Sequence, residues 1–236
     1  MRKMFLSNKN VFWESLIIAF VIFWIGIILG ILFEGSRANK LEKIFFGTET
    51  DIFDIQLNGE VLSMFNFNCE TSLKENILFA DRIYFEAREL EKYDAATRIT
   101  EDIVKLHKRY DLLRVMLWIN IIRLQEECPN ITNSVVYLYE YDEPRINKQA
   151  IQVTLSKVLL DLKKKYGDKV VLIPIADDTN IHSLDLLKSR YGITKSPAVI
   201  VNQKHKVTDL ITLEELEKLL FEKPNEKDDG KAIHLN

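Results

Sequence analysis

Cysteine is scarce in this sequence: its 236 residues contain only Cys69 and Cys128, and residues 129–236 contain none. Because thiol exchange requires a thiolate that attacks sulfur, residues 129–236 contain no group that could begin it. Two cysteines and four scattered histidines also lack the spacing of a zinc site. No metal site is therefore predicted.

Other chemical signatures are missing as well. The sequence has no glycine-rich phosphate loop, GxSxG turn or HExxH motif. Its formal net charge of −3 excludes a strongly basic surface for nucleic acid. We therefore predict no catalytic residue, no cofactor and no nucleic-acid partner, and we favour a binding or structural role over an enzymatic one.

Long apolar runs are also rare, and the exception lies near the N-terminus. Residues 16–33 contain no charged side chain, and with residues 11–13 they can cross a hydrocarbon core of about 30 Å as a helix. We predict a tail at 1–10 and a transmembrane helix at 11–33, which makes the protein single-pass in the cell membrane. Small residues on both sides of Arg37 could also end a cleaved signal peptide, but its apolar region is shorter, about 7–15 residues.

The side of the membrane that the rest of the chain occupies depends on weaker signals. Three basic residues precede the span and three follow it closely, so the positive-inside rule does not decide. The even number of cysteines and the glycosylation sequon Asn130-Ile131-Thr132 favour an internal N-terminus and an external C-terminal domain.

Gly26 and Gly30 lie four residues apart in the span and share one helix face. Since neither has a Cβ atom, two such helices can approach closely, and this face predicts a homodimer within the lipid bilayer. Glycine is frequent in membrane spans, however, so the alternative is that the pair has no role in association.

Residues 34–128 have the periodicity of helices. A helix or stalk is predicted at 40–67, and a second helix begins at Thr71 or Ser72. The apolar positions of this second helix are Leu73, Ile77, Ala80, Tyr84, Ala87 and Leu90. From Ile99 to Leu124, apolar residues recur at intervals of three and four, as in a heptad seam. We expect an antiparallel, coiled-coil-like hairpin with its turn near residues 93–94.

The two cysteines flank this hairpin. For straight helices, a turn at 93–94 would offset Cys69 from Cys128 by about 16 Å. A disulfide requires ~4.4–6.8 Å between Cα atoms. A helix break or a displaced turn could remove the offset, so a disulfide and two separate buried thiols both remain open.

From residue 134 the pattern changes to short apolar runs that alternate with helical segments. The order is βαβαββα, with a right-handed crossover after the first strand and a hairpin through Asn202-Gln203-Lys204. This order predicts an α/β domain with a mixed sheet at 129–221. The remaining residues, 222–236, are charged and mostly polar, which favours a disordered tail.

Two adjacent aspartates, Asp177 and Asp178, end the second strand of this domain. Such a pair could hold a metal or take part in acid–base catalysis, but at the end of a strand it more often caps the following turn. We therefore predict that both aspartates cap the turn that follows the strand.

Three stretches of this domain resemble thioredoxins. They are VVYLYEYDEPRINKQ at 135–149, the acidic strand end IADDTN followed by LKSRYGITKSP, and PAVIVN. Thioredoxins carry an aspartate-bearing strand, a helix that ends in a Tyr-Gly-Ile-like segment, and a cis-proline, which Pro197 matches. The resemblance implies a thioredoxin-like fold and a cis bond between Ser196 and Pro197.

The middle of the chain adds a second resemblance. With KLHKRYDLL at 105–113, and with Trp118 and Cys128 beyond it, the chain is similar to a group of small archaeal membrane proteins. Those proteins have one N-terminal span, a helical middle and a C-terminal thioredoxin-like domain. The resemblance implies the same three parts here.

The CxxC positions of thioredoxins fall on four residues without a thiol: Glu143, Pro144, Arg145 and Ile146. The resemblance therefore implies a redox-inactive protein that acts by binding, as an assembly or substrate-holding module. These four residues, with Ser196 and Pro197, would line a groove where an extended peptide of an unknown protein partner pairs with backbone amides. One alternative is disulfide exchange through Cys69 and Cys128. Another is a purely structural membrane protein.

Overall fold

The computed structural model describes residues 8–64, 68–94 and 101–221. The chain divides into two compact units, Met1–Asp51 and Ile52–Asn236. Most of the predicted N-terminal tail, all of the predicted C-terminal tail and residues 95–100 lie outside the described residues.

A first helix, α1, runs without interruption from Asn8 to Met64. Within it, the 22 residues Phe12–Phe33 have a mean hydropathy of 3.1, and none of that stretch is buried. Exposed apolar surface of this extent is typical of a membrane or protein contact. This part of α1 is long and apolar enough to cross a membrane, and its bounds agree with the predicted 11–33.

Two further helices, α2 (Cys69–Asp94) and α3 (Glu101–Glu127), pack against each other as the predicted hairpin. The described members of the predicted seam on α3 are all buried: Leu106, Tyr110, Leu113, Leu117, Ile121 and Leu124.

On α2, the predicted face is only partly correct: Ala87 is buried, Leu73, Ile77 and Ala80 are half-buried, and Tyr84 is exposed. The buried stripe is Ser72, Asn76, Phe79, Ile83 and Ala87, while Tyr84 is 53% exposed. Both stripes have helical spacing, so periodicity does not separate them. Burial of the more polar stripe is tolerated because Asn76 Nδ2 donates a hydrogen bond to Ser72 O at 2.8 Å.

Cys69 and Cys128 form a disulfide, with 6.0 Å between their Cα atoms. The helices that they join contain 26 and 27 residues, so the first residue of α2 lies beside the end of α3. The predicted turn at 93–94 was therefore too early, since α2 continues to Asp94 and α3 begins only at Glu101. This displaced turn removes the offset that straight helices around residue 93 would have produced.

The predicted βαβαββα order is confirmed. The elements are β1 (Asn133–Tyr139), α4 (Ile146–Tyr166), β2 (Val170–Ala176), α5 (His182–Arg190), β3 (Ala198–Val201), β4 (His205–Val207) and α6 (Leu213–Phe221), with a short 3-10 turn at Gly167–Lys169. The strand order is β2-β1-β3-β4. β1 and β2 are parallel, whereas β3 is antiparallel to both β1 and β4, which makes the sheet mixed as predicted.

One face of the sheet packs on α4 and α6. The core there combines alternate strand residues with apolar residues of both helices: Val135, Tyr137, Leu155, Leu159, Leu162, Val170, Val199, Val201, Leu216 and Leu220. The intervening β1 residues Val136 and Leu138 are buried on the opposite face.

α3 packs along β2, and its Trp118 is fully buried. The Trp118 ring stacks on Tyr191 with 5.4 Å between centroids, and its Nε1 donates to Gln203 Oε1 at 2.9 Å. From Ile52 onward, the helical hairpin and the α/β part belong to a single compact unit.

Candidate functional site

The sites predicted in the α/β region lie at one edge of the sheet, where β1 and β2 end and β3 begins. Tyr139 is paired with Ala176, and Leu138 with Ala198. The loop after β1 (residues 140–145), the Asp177-Asp178 pair and Ser196-Pro197 therefore share this edge, which we call the carboxyl edge. The Ser196–Pro197 peptide bond is cis, which confirms that prediction.

Both aspartates hold neighbouring loops in place. Asp178 accepts hydrogen bonds from the backbone N–H of Tyr141 at 2.9 Å and of Asp142 at 2.8 Å. The Asp177 carboxylate accepts one from the Ser196 hydroxyl and pairs with the Lys188 ammonium. The predicted capping of the following turn is wrong, because these contacts join Asp177 and Asp178 to other loops and to α5. Among the described residues, no cluster of three or more His, Cys, Asp or Glu could hold a metal.

Glu143 lies at the centre of an ion-pair cluster. Its side chain is only 1% exposed and accepts hydrogen bonds from Arg145 Nε at 2.7 Å, Nη2 at 2.9 Å and backbone N at 2.9 Å. Lys148 Nζ lies 3.1 Å from its Oε2. The hydrogen bonds from Arg145 hold the pKa of Glu143 well below its usual range. At neutral pH this carboxylate is ionised and fully engaged, so it cannot serve as a proton donor.

The six residues of the predicted groove divide into two sets. Glu143, Ser196 and Pro197 are buried. Pro144, Arg145 and Ile146 are exposed, and Ile146 is 80% exposed at the first residue of α4. Side chains of the second set can meet a partner directly, whereas Ser196 can offer only its backbone because its hydroxyl is bonded to Asp177.

Gln152 interrupts the ladder between β1 and β3 at the carboxyl edge. Hydrogen-bonded pairs recur at every second residue of an antiparallel ladder. The N–H of Asn202 donates to Ser134 O at 2.8 Å, so the next hydrogen-bonded pair beyond Leu138 and Ala198 would be Glu140 with Ser196. Instead, Glu140 N–H donates to Gln152 Oε1 at 2.8 Å, and Gln152 Nε2 donates to Glu140 O at 3.0 Å. The side-chain amide of Gln152 thus makes the two hydrogen bonds with the Glu140 backbone that a neighbouring strand would make.

Because Gln152 bonds to Glu140, the backbone N–H and C=O of Ser196 have no partner in the ladder. No hydrogen bond joins its N–H or C=O to any residue in the ranges 8–64, 68–94 and 101–221. Gln152 was not among the predicted site residues. A signal was present, since Gln152 is a polar residue in the buried stripe Gln152, Leu155, Leu159 and Leu162 of α4.

Helix α3 also reaches the carboxyl edge. The His107 ring lies 4.2 Å from the Tyr141 ring, and Lys108 Nζ donates to Asn180 O at 2.8 Å. Asp111, on the same helix, accepts a hydrogen bond from Ala176 N–H at 3.1 Å. Spacing within one helix could not predict these contacts, because their partners are more than 30 residues away in sequence.

Replacing Gln152 by Met tests its place in the ladder. The variant keeps an unbranched side chain but has no amide, so Glu140 is free to pair with Ser196. We expect the Ser196 amide hydrogen to exchange up to about tenfold more slowly, since a hydrogen bond contributes about 0.5–1.5 kcal/mol. Exchange is measured on the full chain in detergent by NMR.

Gln149→Met is the matched control, because Gln149 is an exposed glutamine of the same helix. It should leave Ser196 exchange unchanged. Equal exchange at Ser196 in wild type and Gln152→Met would show that Gln152 does not keep this amide free.

The carboxyl edge therefore combines a backbone segment with free hydrogen-bonding groups, an exposed apolar residue and a cation. Among its carboxylates, Glu143, Asp177 and Asp178 are bonded within the protein, and the Ser196 hydroxyl is bonded to Asp177. Such an arrangement suits binding of an extended chain better than covalent chemistry. No protein-family model matches the sequence, and no curated protein or solved structure matches it either.

Proposed function

We propose that the protein is a membrane-anchored, thioredoxin-like binding protein that has no dithiol chemistry in its α/β part and holds an extended segment of a partner protein. Three features support the fold assignment: the strand order β2-β1-β3-β4, the cis bond before Pro197, and a loop-to-helix junction at Glu143–Ile146 where thioredoxins carry CxxC. The binding role rests chiefly on the free Ser196 backbone that Gln152 maintains.

The proposed mode of binding is strand addition. A partner backbone donates to Ser196 C=O and accepts from Ser196 N–H, as a neighbouring strand would. The exposed side chains of Pro144 and Ile146 provide apolar contact beside it. Arg145, whose side chain is 67% exposed although it pairs with Glu143, adds a cation at the rim.

Site-specific photo-crosslinking tests this proposal. A photoreactive phenylalanine analogue at Ile146 is expected to trap one discrete partner in native membranes, because this side chain is 80% exposed beside Ser196. Leu186 is the matched control, since it is 74% exposed on α5. Gln152→Met should reduce the adduct formed from position 146. Equal adducts from positions 146 and 186 would contradict the proposal.

The absence of dithiol activity has its own test. The full chain in detergent is expected not to accelerate the reduction of insulin by dithiothreitol, since residues 129–236 contain no thiol. Turnover above the buffer control would overturn the redox-inactive assignment.

The observed disulfide favours a second candidate, exchange with a partner thiol through Cys69 and Cys128. Cys69 is half-buried, whereas Cys128 is buried, with 9% of its surface exposed. Under this candidate, Cys128→Ser would leave a Cys69 thiol that accumulates in a mixed disulfide with a partner. Only free Cys69 thiol is expected under the binding proposal.

We also propose that the N-terminus lies inside the cell and the α/β part outside it. A disulfide persists in oxidising compartments, and the anchor would hold the domain at the outer surface. An epitope added after Asn236 should bind antibody on intact cells. Binding that requires lysis would reverse the orientation.

Association through the span is proposed from Gly26 and Gly30. Within the described part of the chain, and apart from the adjacent residues and the nearby backbone of α1, no heavy atom lies within 4 Å of a Cβ built on either glycine. Gly26→Ile with Gly30→Ile should therefore leave the described contacts undisturbed. If helices pack on this face, the added side chains separate them and crosslinking in membranes should yield monomer. Val21→Ile, elsewhere on the span, is the control. An unchanged monomer fraction in the double variant would exclude this face.

A further inference from the structure

The short connection between α3 and β1 contains Asn130, Ile131 and Thr132. Asn130 is exposed and has a φ of 65°, and Ile131 N–H donates back to Cys128 O at 3.3 Å, so the segment forms a turn. Within the described ranges, no hydrogen bond engages the Asn130 side chain. Its amide nitrogen is therefore presented to solvent.

Two independent features place this turn in the setting that N-linked glycosylation requires. The sequence Asn-Ile-Thr satisfies the acceptor pattern, with a residue other than proline at its centre. Cys128, two residues before the acceptor, is bonded to Cys69, and disulfides form where secreted and surface proteins mature.

We propose that Asn130 is the acceptor of an N-linked glycan. This inference rests on the outside orientation of the proposed function, but not on the binding role. Nδ2 of Asn130 forms a bond to C1 of the first sugar, and the bond from C1 to the phosphate of a lipid-linked oligosaccharide breaks. The lipid phosphate leaves with the electron pair of that bond, and Nδ2 loses one proton. A membrane oligosaccharyl transferase supplies the donor and catalyses the transfer.

The position of Thr132 sets the order of events. Thr132 is 7% exposed in the folded chain, and Gln125 Nε2 donates to its carbonyl oxygen at 3.0 Å. Its hydroxyl, which is part of the acceptor pattern, is directed to Asn133 O at 3.4 Å. A transferase cannot reach that hydroxyl after Thr132 joins β1 to α3. The glycan is therefore added before this junction folds, and the exposed Asn130 then carries it without rearrangement.

The glycan also lies away from the proposed partner site. Asn130 precedes the first residue of β1, whereas the carboxyl edge follows its last residue, about 20 Å further along the strand. The sugar would extend over a polar cleft of about 690 Å³ whose lining includes Glu126, Arg190 and Lys204. It would shield that cleft and leave Ser196 accessible.

The test is translation of the full chain into microsomes that contain an oligosaccharyl transferase. The wild-type chain is expected to gain glycan mass that an N-glycan amidase removes, leaving Asp at position 130. Asn130→Gln and Thr132→Val should both lose this gain, while Thr132→Ser should retain it because the hydroxyl remains. A gain that persists in Asn130→Gln would overturn the assignment.

Gly192→Asn is the matched control, because it creates the same tripeptide with Ile193 and Thr194. Gly192 has a φ of +60°, its Cβ would meet only Lys206 Nζ at 3.7 Å, and both Gly192 and Thr194 are exposed. We expect it to add a second glycan. Modification at 192 without modification at 130 would overturn the Asn130 assignment and leave the orientation intact. If neither site is modified, both the assignment and the outside orientation fail, while the binding role is still decided by crosslinking from position 146.

Discussion

Replacing Cys69 by Ser is expected to lower the free energy of unfolding of the Ile52–Asn236 unit by about 4 kcal/mol. The reason is the 59-residue separation that the disulfide closes. Opening it restores chain entropy to the unfolded state, and loop closure of that length corresponds to about 4 kcal/mol. The loss should be largest where the ends of α2 and α3 meet.

Hydrogen exchange across a denaturant series, on the full chain in detergent, measures this change. Cys69→Ser with Cys128→Ser is the control, and it should match the single variant because the crosslink is already absent there. Reduction of the wild-type protein with dithiothreitol should produce the same loss. A difference below about 1 kcal/mol would mean that the crosslink barely restricts the unfolded chain.

The second large effect is a dependence of stability on pH that arises from Asp111. Its carboxylate is 1% exposed, and it contacts Arg114 Nη1 at 3.0 Å and Ala176 N–H at 3.1 Å. Burial raises its pKa from 3.8 to about 6, although Arg114 and the Ala176 N–H act in the opposite direction and Asp178 adds a small increase.

The direction in which stability changes with pH depends on whether the folded or the unfolded state binds the proton more tightly. Between pH 4 and pH 6 the folded protein retains a proton that the unfolded chain has lost, so the protonated folded state is favoured at low pH. This stabilisation is present below the unfolded pKa and disappears as the pH rises through the folded pKa. At 1.36 kcal/mol per pKa unit, the contribution of Asp111 to stability should fall by about 3 kcal/mol across the window.

Asp111→Asn isolates this contribution. Asn keeps an oxygen that can accept from Ala176 N–H but does not titrate, so the difference between the wild-type and variant unfolding free energies should carry the pH dependence that Asp111 causes. Denaturant unfolding at pH 3.5, 5 and 7 measures it. A pH-independent difference would show that Asp111 is ionised equally in both states.

Periodicity predicted the elements well and their contacts poorly. The order of strands and helices beyond residue 133 and the bounds of the apolar stretch follow from repeating patterns within one segment. The buried face of α2 does not, because two neighbouring stripes had the same helical spacing. The cysteine pair was left open because its geometry depended on where the turn lies.

The candidate site shows the same division. Its position at the ends of β1 and β2 was predictable, as was the absence of a thiol. The burial of Glu143 and the role of Gln152 were not, because they arise from side chains that meet only after folding. Gln203 is the extreme case: it is bonded to Trp118, 85 residues earlier, and it has positive φ in the β3–β4 turn.

The disulfide also determines how mechanical load would pass through the chain. Cys69 is the first residue of α2, and Cys128 lies five residues before the start of β1. Tension between the proposed membrane anchor and the proposed partner at the sheet would follow the covalent path from α1 through the sulfur–sulfur bond into β1. The hairpin between the two cysteines would carry none of that tension. Reduction would place all of α2 and α3 in the path, so that one bond determines whether pulling on the anchor can extend the hairpin.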